Sequence, residues 1–226
     1  MPRRSYQDAL DQLREDVLFM GELVLDRVRT GLDALDRKDE ELAREVILGD
    51  DEINEMYLDL EGDCIDLFAL QQPVAGDLRF VAASFKIITD LERVADLATN
   101  LGGYALEAER DLYPDVDVQS IGDAVVEMVE SALTAYAEED VPDCHAIAER
   151  DDEVDAMCER ASGTVVRELI ETELDPENED RDVEAFMTDV SRLLLTIRDL
   201  ERVGDHAVNV AARTLYMVEN DDSLLY

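Results

Sequence analysis

Carboxylates in matched pairs are the residues of this chain best suited to chemistry. Glu92 and Asp96 stand four residues apart, and Glu201 and Asp205 repeat that spacing 109 residues later. Residues i and i+4 of a helix share one face, so each pair would present two carboxylates side by side. Carboxylates held together repel one another, so either they bind a cation or their pKa values are raised. Each pair is therefore a candidate metal site.

The two pairs lie within a longer phrase that the chain contains twice. Positions 90–101 read DLERVADLATNL, and positions 199–210 read DLERVGDHAVNV. The residues kept most strictly are polar, whereas a repeat that served only packing would keep its apolar residues and let the polar ones drift. Asn100 and Asn209 extend the two acidic lines by one more helical turn. The duplication predicts two copies of one structural unit, each with its own acidic cluster.

A second pair of oxygen-bearing side chains precedes each copy of the phrase. Asp50 and Asn54 in the first half correspond to Asp151 and Asp155 in the second, again at i and i+4 and beside an apolar stripe. Oxygen ligands with no sulfur and little imidazole select hard cations such as Mg, Ca, Mn or iron. The candidate metal ligands are Asp50, Asn54, Glu92, Asp96, Asn100, Asp151, Asp155, Glu201, Asp205 and Asn209.

A solvated acidic surface is the competing interpretation. The chain has 58 acidic residues among 226, so acids four residues apart also arise by chance. The duplication in register favours the metal interpretation over chance. His206, one of two histidines, has Leu97 as its counterpart, and we expect it to be partly exposed and not a ligand. Arg93 and Arg202 are expected at the surface or in salt bridges.

The spacing of apolar residues predicts six helices and no strand. The predicted helices span residues 6–37, 39–71, 78–110, 117–139, 142–173 and 183–219. Three helices in each half, joined by short loops, predict an all-α fold of two tandem antiparallel three-helix bundles related by internal duplication. The stretch 111–115 (DLYPD) reads as the linker, which predicts one bundle over residues 1–112 and the other over residues 113–226.

Composition narrows the function classes. A net charge of −38 repels nucleic acid and suggests a protein adapted to a salt-rich cytoplasm. Neither a signal peptide nor an apolar run long enough to span a bilayer is found, so the expected location is the cytoplasm. Three cysteines without a CxxC pair predict neither a disulfide framework nor a thiolate zinc site. The sequence shows neither a glycine loop that could cradle a phosphate nor an activated nucleophile, so we do not expect an enzyme.

Several of these segments together resemble the PhoU family of phosphate-uptake regulators. The most specific are QQPVAGDLR at positions 71–79 and the two copies of Leu-Glu-Arg-Val-x-Asp followed by Asn. The stretches 50–54 (DDEIN) and 151–155 (DDEVD) also look like family elements, and the acidic pairs correspond to the family's E(D)xxxD motifs. Asn54 departs from that pattern, which predicts a weaker or differently populated first cluster. The extreme acidity is not a general trait of the family.

The resemblance implies more than the residues alone do. It implies two three-helix bundles that hold multinuclear clusters of metal ions such as iron or zinc on their surfaces. It also implies a cytoplasmic regulator, often a homodimer, that restrains the phosphate ABC transporter and phosphate-starvation signalling through the transporter's ATPase subunit, a sensor kinase, or both. Two alternatives stay open: a metal-free helical adaptor, and a di-iron carboxylate enzyme, which the absence of Glu-x-x-His pairs disfavours.

Overall fold

Seven helices make up the described part of the chain. The computed structural model describes residues 3–70, 75–107, 116–173 and 183–225. The helices are α1 (Arg3–Arg37), α2 (Glu40–Leu48), α3 (Asp50–Leu70), α4 (Ala75–Leu106), α5 (Val118–Glu138), α6 (Val141–Glu173) and α7 (Val183–Glu219). These residues contain no strand, and none of their helices is both long and apolar enough to cross a membrane. The fold class is all-α, as predicted.

Most helix boundaries agree with the predictions, with one clear exception. The second predicted helix is two helices, because the chain is interrupted at Gly49, whose amide N–H bonds to the carbonyl oxygens of Glu45 and Val46. The corresponding α6 runs without interruption through Arg150. A side chain at position 49 would meet the guanidinium of Arg27 at 2.5 Å. Part of the predicted turn at 72–77 lies outside the described residues. The predicted linker and the predicted boundary at 112/113 lie wholly outside them.

Helices α1 to α4 form the first bundle, and α5 to α7 form the second. The two bundles meet where α1 packs on α5 and α4 packs on α7. The α1–α5 contact has matched halves: a Cβ on Gly21 would lie 2.6 Å from Leu133, and one on Gly122 would lie 2.4 Å from Leu32. These four residues are pairwise equivalent in the two repeats, so the repeats face each other across an approximate two-fold axis.

One large apolar core runs through both bundles. Its largest fully buried members come from both halves of the chain and include Met20, Ile53, Leu91, Met128 and Leu200. The cysteines Cys64, Cys144 and Cys158 are buried and free. The continuous core makes the relative placement of the two repeats part of the folded structure.

Gly102 lies where α2 and α4 approach closely. A Cβ on Gly102 would lie 2.9 Å from the carbonyl oxygen of Ala43, whereas a Cβ on Gly103 would meet nothing within 4 Å. Gly102→Ala is expected to lower the free energy of unfolding by about 1 kcal/mol, because overpacking against backbone outweighs the gain in helix propensity. Gly103→Ala is expected to raise it by up to about 1 kcal/mol. Urea denaturation of both variants checks the opposite signs, and equal effects would contradict the proposed contact.

Candidate metal centre

The second repeat brings four of the predicted carboxylates together. Asp151 and Asp155 on α6 lie near Glu201 and Asp205 on α7, and two of the four, Asp155 and Glu201, line an open groove of about 390 Å³. Burial, followed by the charges of Asp155 and Asp205, raises the pKa of Asp151 to about 6. Burial and the charge of Asp155 also raise the pKa values of Glu201 and Asp205. The four groups therefore act on one another electrostatically, as a cluster with an excess of negative charge.

One oxygen of this cluster lacks a partner. The Oδ1 atom of Asp151 is buried, and no hydrogen-bond donor in the described part of the chain reaches it. The backbone of Gly204 lies beside it, so a Cβ on Gly204 would come within 3.1 Å of that oxygen. A buried carboxylate oxygen without a donor is costly, and a cation is one means of relieving it.

The first repeat arranges its equivalent residues differently. Asp50 accepts hydrogen bonds from Asn54 Nδ2 at 2.8 Å and from Thr99 Oγ1 at 3.3 Å. Burial and the neighbouring carboxylates raise the pKa values of Glu92 and Asp96. The positions equivalent to Asn54 and Thr99 in the second repeat are Asp155 and Val208, neither of which donates. The first cluster is therefore partly satisfied by the chain's own donors, and the second is not.

The oxygen ligands of the second cluster suit a hard cation, but its side chains are not arranged around a single point. Carboxylate oxygens are the right ligands, and the unpartnered oxygen of Asp151 gives a cation a place. Among the described residues, however, no three His, Cys, Asp or Glu side chains converge as a ready coordination sphere. Binding would therefore require side-chain rotation at Asp151, Asp155, Glu201 or Asp205.

The side-chain amides of Asn100 and Asn209 each donate a hydrogen bond to a carboxylate of the other repeat. Asn100 Nδ2 donates to Asp199 Oδ2 at 3.2 Å, and Asn209 Nδ2 donates to Asp90 Oδ1 at 3.2 Å. These two bonds are equivalent under the approximate two-fold axis. We call the four residues the inter-repeat clasp. The first Asp and the last Asn of the repeated phrase thus join the bundles, while the Glu and second Asp form the acidic clusters.

Asp90 and Asp199 join the two repeats, and the metal hypothesis missed both, although each begins a copy of the repeated phrase. Asp199 is completely buried and also accepts from Tyr104 Oη at 2.8 Å and from Arg198 Nη2 at 2.8 Å. The signal that would have found both residues was their strict repetition at the start of each phrase.

The expectation that His206 is partly exposed was wrong. The residue is buried, with 8% of its surface exposed, and its Nδ1 lies 2.9 Å from Asp90 Oδ1. The imidazole takes this position because the clasp places a carboxylate acceptor opposite it, which sequence spacing could not show. Arg202 is at the surface, as expected, with Nη1 3.8 Å from Asp199.

Comparison with known proteins is consistent with this architecture along the whole chain. The PhoU domain matches twice, over residues 17–105 and 118–214. A protein of Clostridium acetobutylicum named "Phosphate-specific transport system accessory protein PhoU homolog" is 30% identical over 221 residues, which cover 96% of each chain. The Pseudomonas aeruginosa protein of the same name is 34% identical over 223 residues, which cover 97% of this chain and 87% of that one.

Solved structures agree with both the fold and the relationship. The crystal structure of PhoU from Pseudomonas aeruginosa superposes with a TM-score of 0.87 at 32% identity, covering 96% of this chain and all of that one. The phosphate transport system regulatory protein PhoU from Streptococcus pneumoniae, at 24% identity, shares the fold with a TM-score of 0.83 over 96% of this chain and 98% of that one. Two matched domains and relatives aligned along nearly the full length show that this chain belongs to the PhoU family.

Proposed function

We propose that this protein is a metal-binding regulatory adaptor that restrains phosphate uptake and phosphate-starvation signalling. The observation that carries this proposal is its alignment, along nearly its whole length, with proteins named as accessory or regulatory components of phosphate transport. Its partner in this proposal is the ATPase subunit of the phosphate ABC transporter, a sensor kinase, or both. The protein acts in the cytoplasm as a homodimer, binds no nucleic acid, and meets the membrane only through that partner.

The metal part of the proposal is supported by the second cluster. Asp151, Asp155, Glu201 and Asp205 would hold a divalent or trivalent ion such as iron, zinc, manganese or magnesium, with Asp151 Oδ1 as its most buried ligand. The ion would supply positive charge and hold α6 and α7 in one relative position at the surface. The first cluster, Asp50, Asn54, Glu92 and Asp96, would bind more weakly, because Asn54 and Thr99 already satisfy Asp50.

A metal-free adaptor is the second candidate function. It is favoured by the arrangement of the carboxylates, since no three ligating groups converge in the described residues. In that case the acidic clusters would serve as solvated, negatively charged surfaces. The two candidates differ in one measurable respect, which is whether the folded protein carries metal through its second cluster.

Metal content and phosphate uptake together test the proposal with one pair of variants. The double variant Glu201→Gln/Asp205→Asn is expected to lose the metal that the wild type retains when purified without chelator, as measured by elemental analysis. Deletion of the gene in the source organism is expected to raise phosphate uptake in phosphate-rich medium. The wild-type gene should restore low uptake, and the double variant should restore it only in part, because the α6–α7 surface is no longer held by the ion.

The matched control is Glu149→Gln/Glu153→Gln. These two acids are also four residues apart and exposed on α6, so the change in charge is the same away from the cluster. This control should keep both metal and regulation. Equal metal content in the two double variants would contradict metal binding at the second cluster. Unchanged uptake after gene deletion would contradict the regulatory role itself.

A further inference from the structure

The outer face of α3 carries an apolar stripe that no described helix covers. Leu58 is 63% exposed and Ile65 is 52% exposed. With Gly62 and Ala69, both also exposed, they occupy positions i, i+4, i+7 and i+11. This is the spacing of a helix–helix seam. Among the described helices, α3 packs its opposite face on α1 and α4.

Gly62 lies within the stripe, although nothing in the described chain requires a glycine there. A Cβ on Gly62 would meet no atom within 4 Å, and its backbone does not adopt a positive φ. An exposed glycine inside a helix lowers stability relative to alanine. The open space above Gly62 would let another backbone approach α3 closely.

The charges beside the stripe select the kind of partner. Helix α3 contains eight acidic residues and no basic one. Asp59 and Asp66 lie beside the stripe, and their counterparts in α6 are Arg160 and Arg167. A second α3 face would bring acid against acid, which disfavours self-association through this surface. A partner helix with Lys or Arg beside an apolar seam would complement both the stripe of α3 and the acidic residues next to it.

The equivalent face of α6 provides an internal comparison. Gly163, Val166 and Ile170 repeat the exposed pattern of Gly62, Ile65 and Ala69, and a Cβ on Gly163 would also meet nothing. The position of Leu58 is, however, taken by Glu159. Together with the two arginines, this charge pattern makes the α6 face a poor match for a basic helix.

We propose that the exposed stripe of α3, Leu58, Gly62, Ile65 and Ala69, is a docking surface for a basic amphipathic helix of another protein. The partner would place its apolar residues on Leu58 and Ile65, its backbone over Gly62, and its basic side chains near Asp59 and Asp66. The inference rests on the proposed adaptor role, because an adaptor acts by binding a partner, but it does not depend on the metal.

Binding of a designed peptide to the full-length protein tests the proposal. The probe is a helical peptide of about 18 residues with leucines along one seam and arginines beside it; a second peptide has serines in place of the leucines. Ile65→Asp should weaken binding of the leucine peptide at least about 10-fold, although it makes the surface more acidic. Val166→Asp on α6 is the matched control and should leave the affinity within about two-fold.

Gly62→Ala gives a second and independent readout. It should raise the Tm of the free protein by about 2–4 °C, because alanine favours the helix, and yet weaken the leucine peptide several-fold by filling the space above α3. Equal binding of the leucine and serine peptides, or equal effects of Ile65→Asp and Val166→Asp, would overturn the docking surface. Dissociation of a dimer by Ile65→Asp would show that a second copy is the occupant. None of these three outcomes would change the conclusions drawn from metal content and phosphate uptake.

Discussion

Replacing Asp199 with alanine is expected to lower the free energy of unfolding by about 3 kcal/mol, because the change removes a fully buried acceptor of three hydrogen bonds, one of them charge-assisted. Asp199 is completely buried and accepts from Asn100, Tyr104 and Arg198. Burial, together with the Asp199 carboxylate, raises the pKa of Tyr104 to about 12, so its hydroxyl stays a donor at neutral pH. Urea denaturation at fixed salt measures the loss.

Asp90→Ala is the matched comparison in the other half of the inter-repeat clasp. Asp90 is slightly exposed and accepts from two groups, His206 and Asn209. We expect a smaller loss of about 2 kcal/mol. A double-mutant cycle of Asp199→Ala with Tyr104→Phe should show a coupling of at least about 0.5 kcal/mol. A loss below about 1 kcal/mol for Asp199→Ala would contradict the view that this carboxylate joins the repeats.

Asp151→Asn is expected to stabilise the metal-free protein at pH 7 and to abolish its stabilisation by metal. Burial and the carboxylates of Asp155 and Asp205 raise the pKa of Asp151 from 3.8 to about 6. The folded state therefore holds this proton more tightly than the unfolded chain does, and folding stability falls as pH rises from about 4 to about 6. The neutral amide removes this penalty, with an expected gain of about 1–2 kcal/mol at pH 7 after solvent screening.

The pH dependence identifies the source of that gain. Below about pH 4, Asp151 is protonated in both states, so the variant and the wild type should differ little. Asp152→Asn removes an exposed charge on the same turn and should give a much smaller gain at pH 7. Thermal unfolding in chelator at pH 4 and pH 7 measures both variants. A gain of equal size at the two pH values would show that relief of charge at Asp151 is not its cause.

Adding metal should make the wild type more stable than Asp151→Asn, which is the reverse of their order without metal. A ligand that binds only the folded state stabilises it by about 2.7 kcal/mol at a hundred times its Kd. The wild type is expected to gain this amount, whereas Asp151→Asn, which lacks the most buried candidate ligand, should gain little. Equal stabilisation of the wild type and Asp151→Asn by metal would contradict the assignment of Asp151 as a ligand.

Local spacing was sufficient to predict most of the helices. The predicted bounds of α7 agree with those observed, and Asp117 caps α5 where that helix was expected to begin. The periodicity of apolar residues along a helix is a local property, and so it can be read from one sequence. The interruption at Gly49 was missed, and so was the approach of Arg27 from a neighbouring helix, because contacts between helices cannot be read from local spacing.

The repeated acidic phrase likewise showed which residues matter, but not how their roles divide. By itself the sequence determined the duplication, the two acidic pairs and the family. Only the tertiary structure decided that Asn100 and Asn209 bond to Asp199 and Asp90 of the opposite repeat. The same structure decided that His206 is buried against Asp90 and that one oxygen of Asp151 lacks a donor. The reason is physical: the spacing along a helix determines which face a side chain occupies, whereas its partners on that face come from helices distant in the chain.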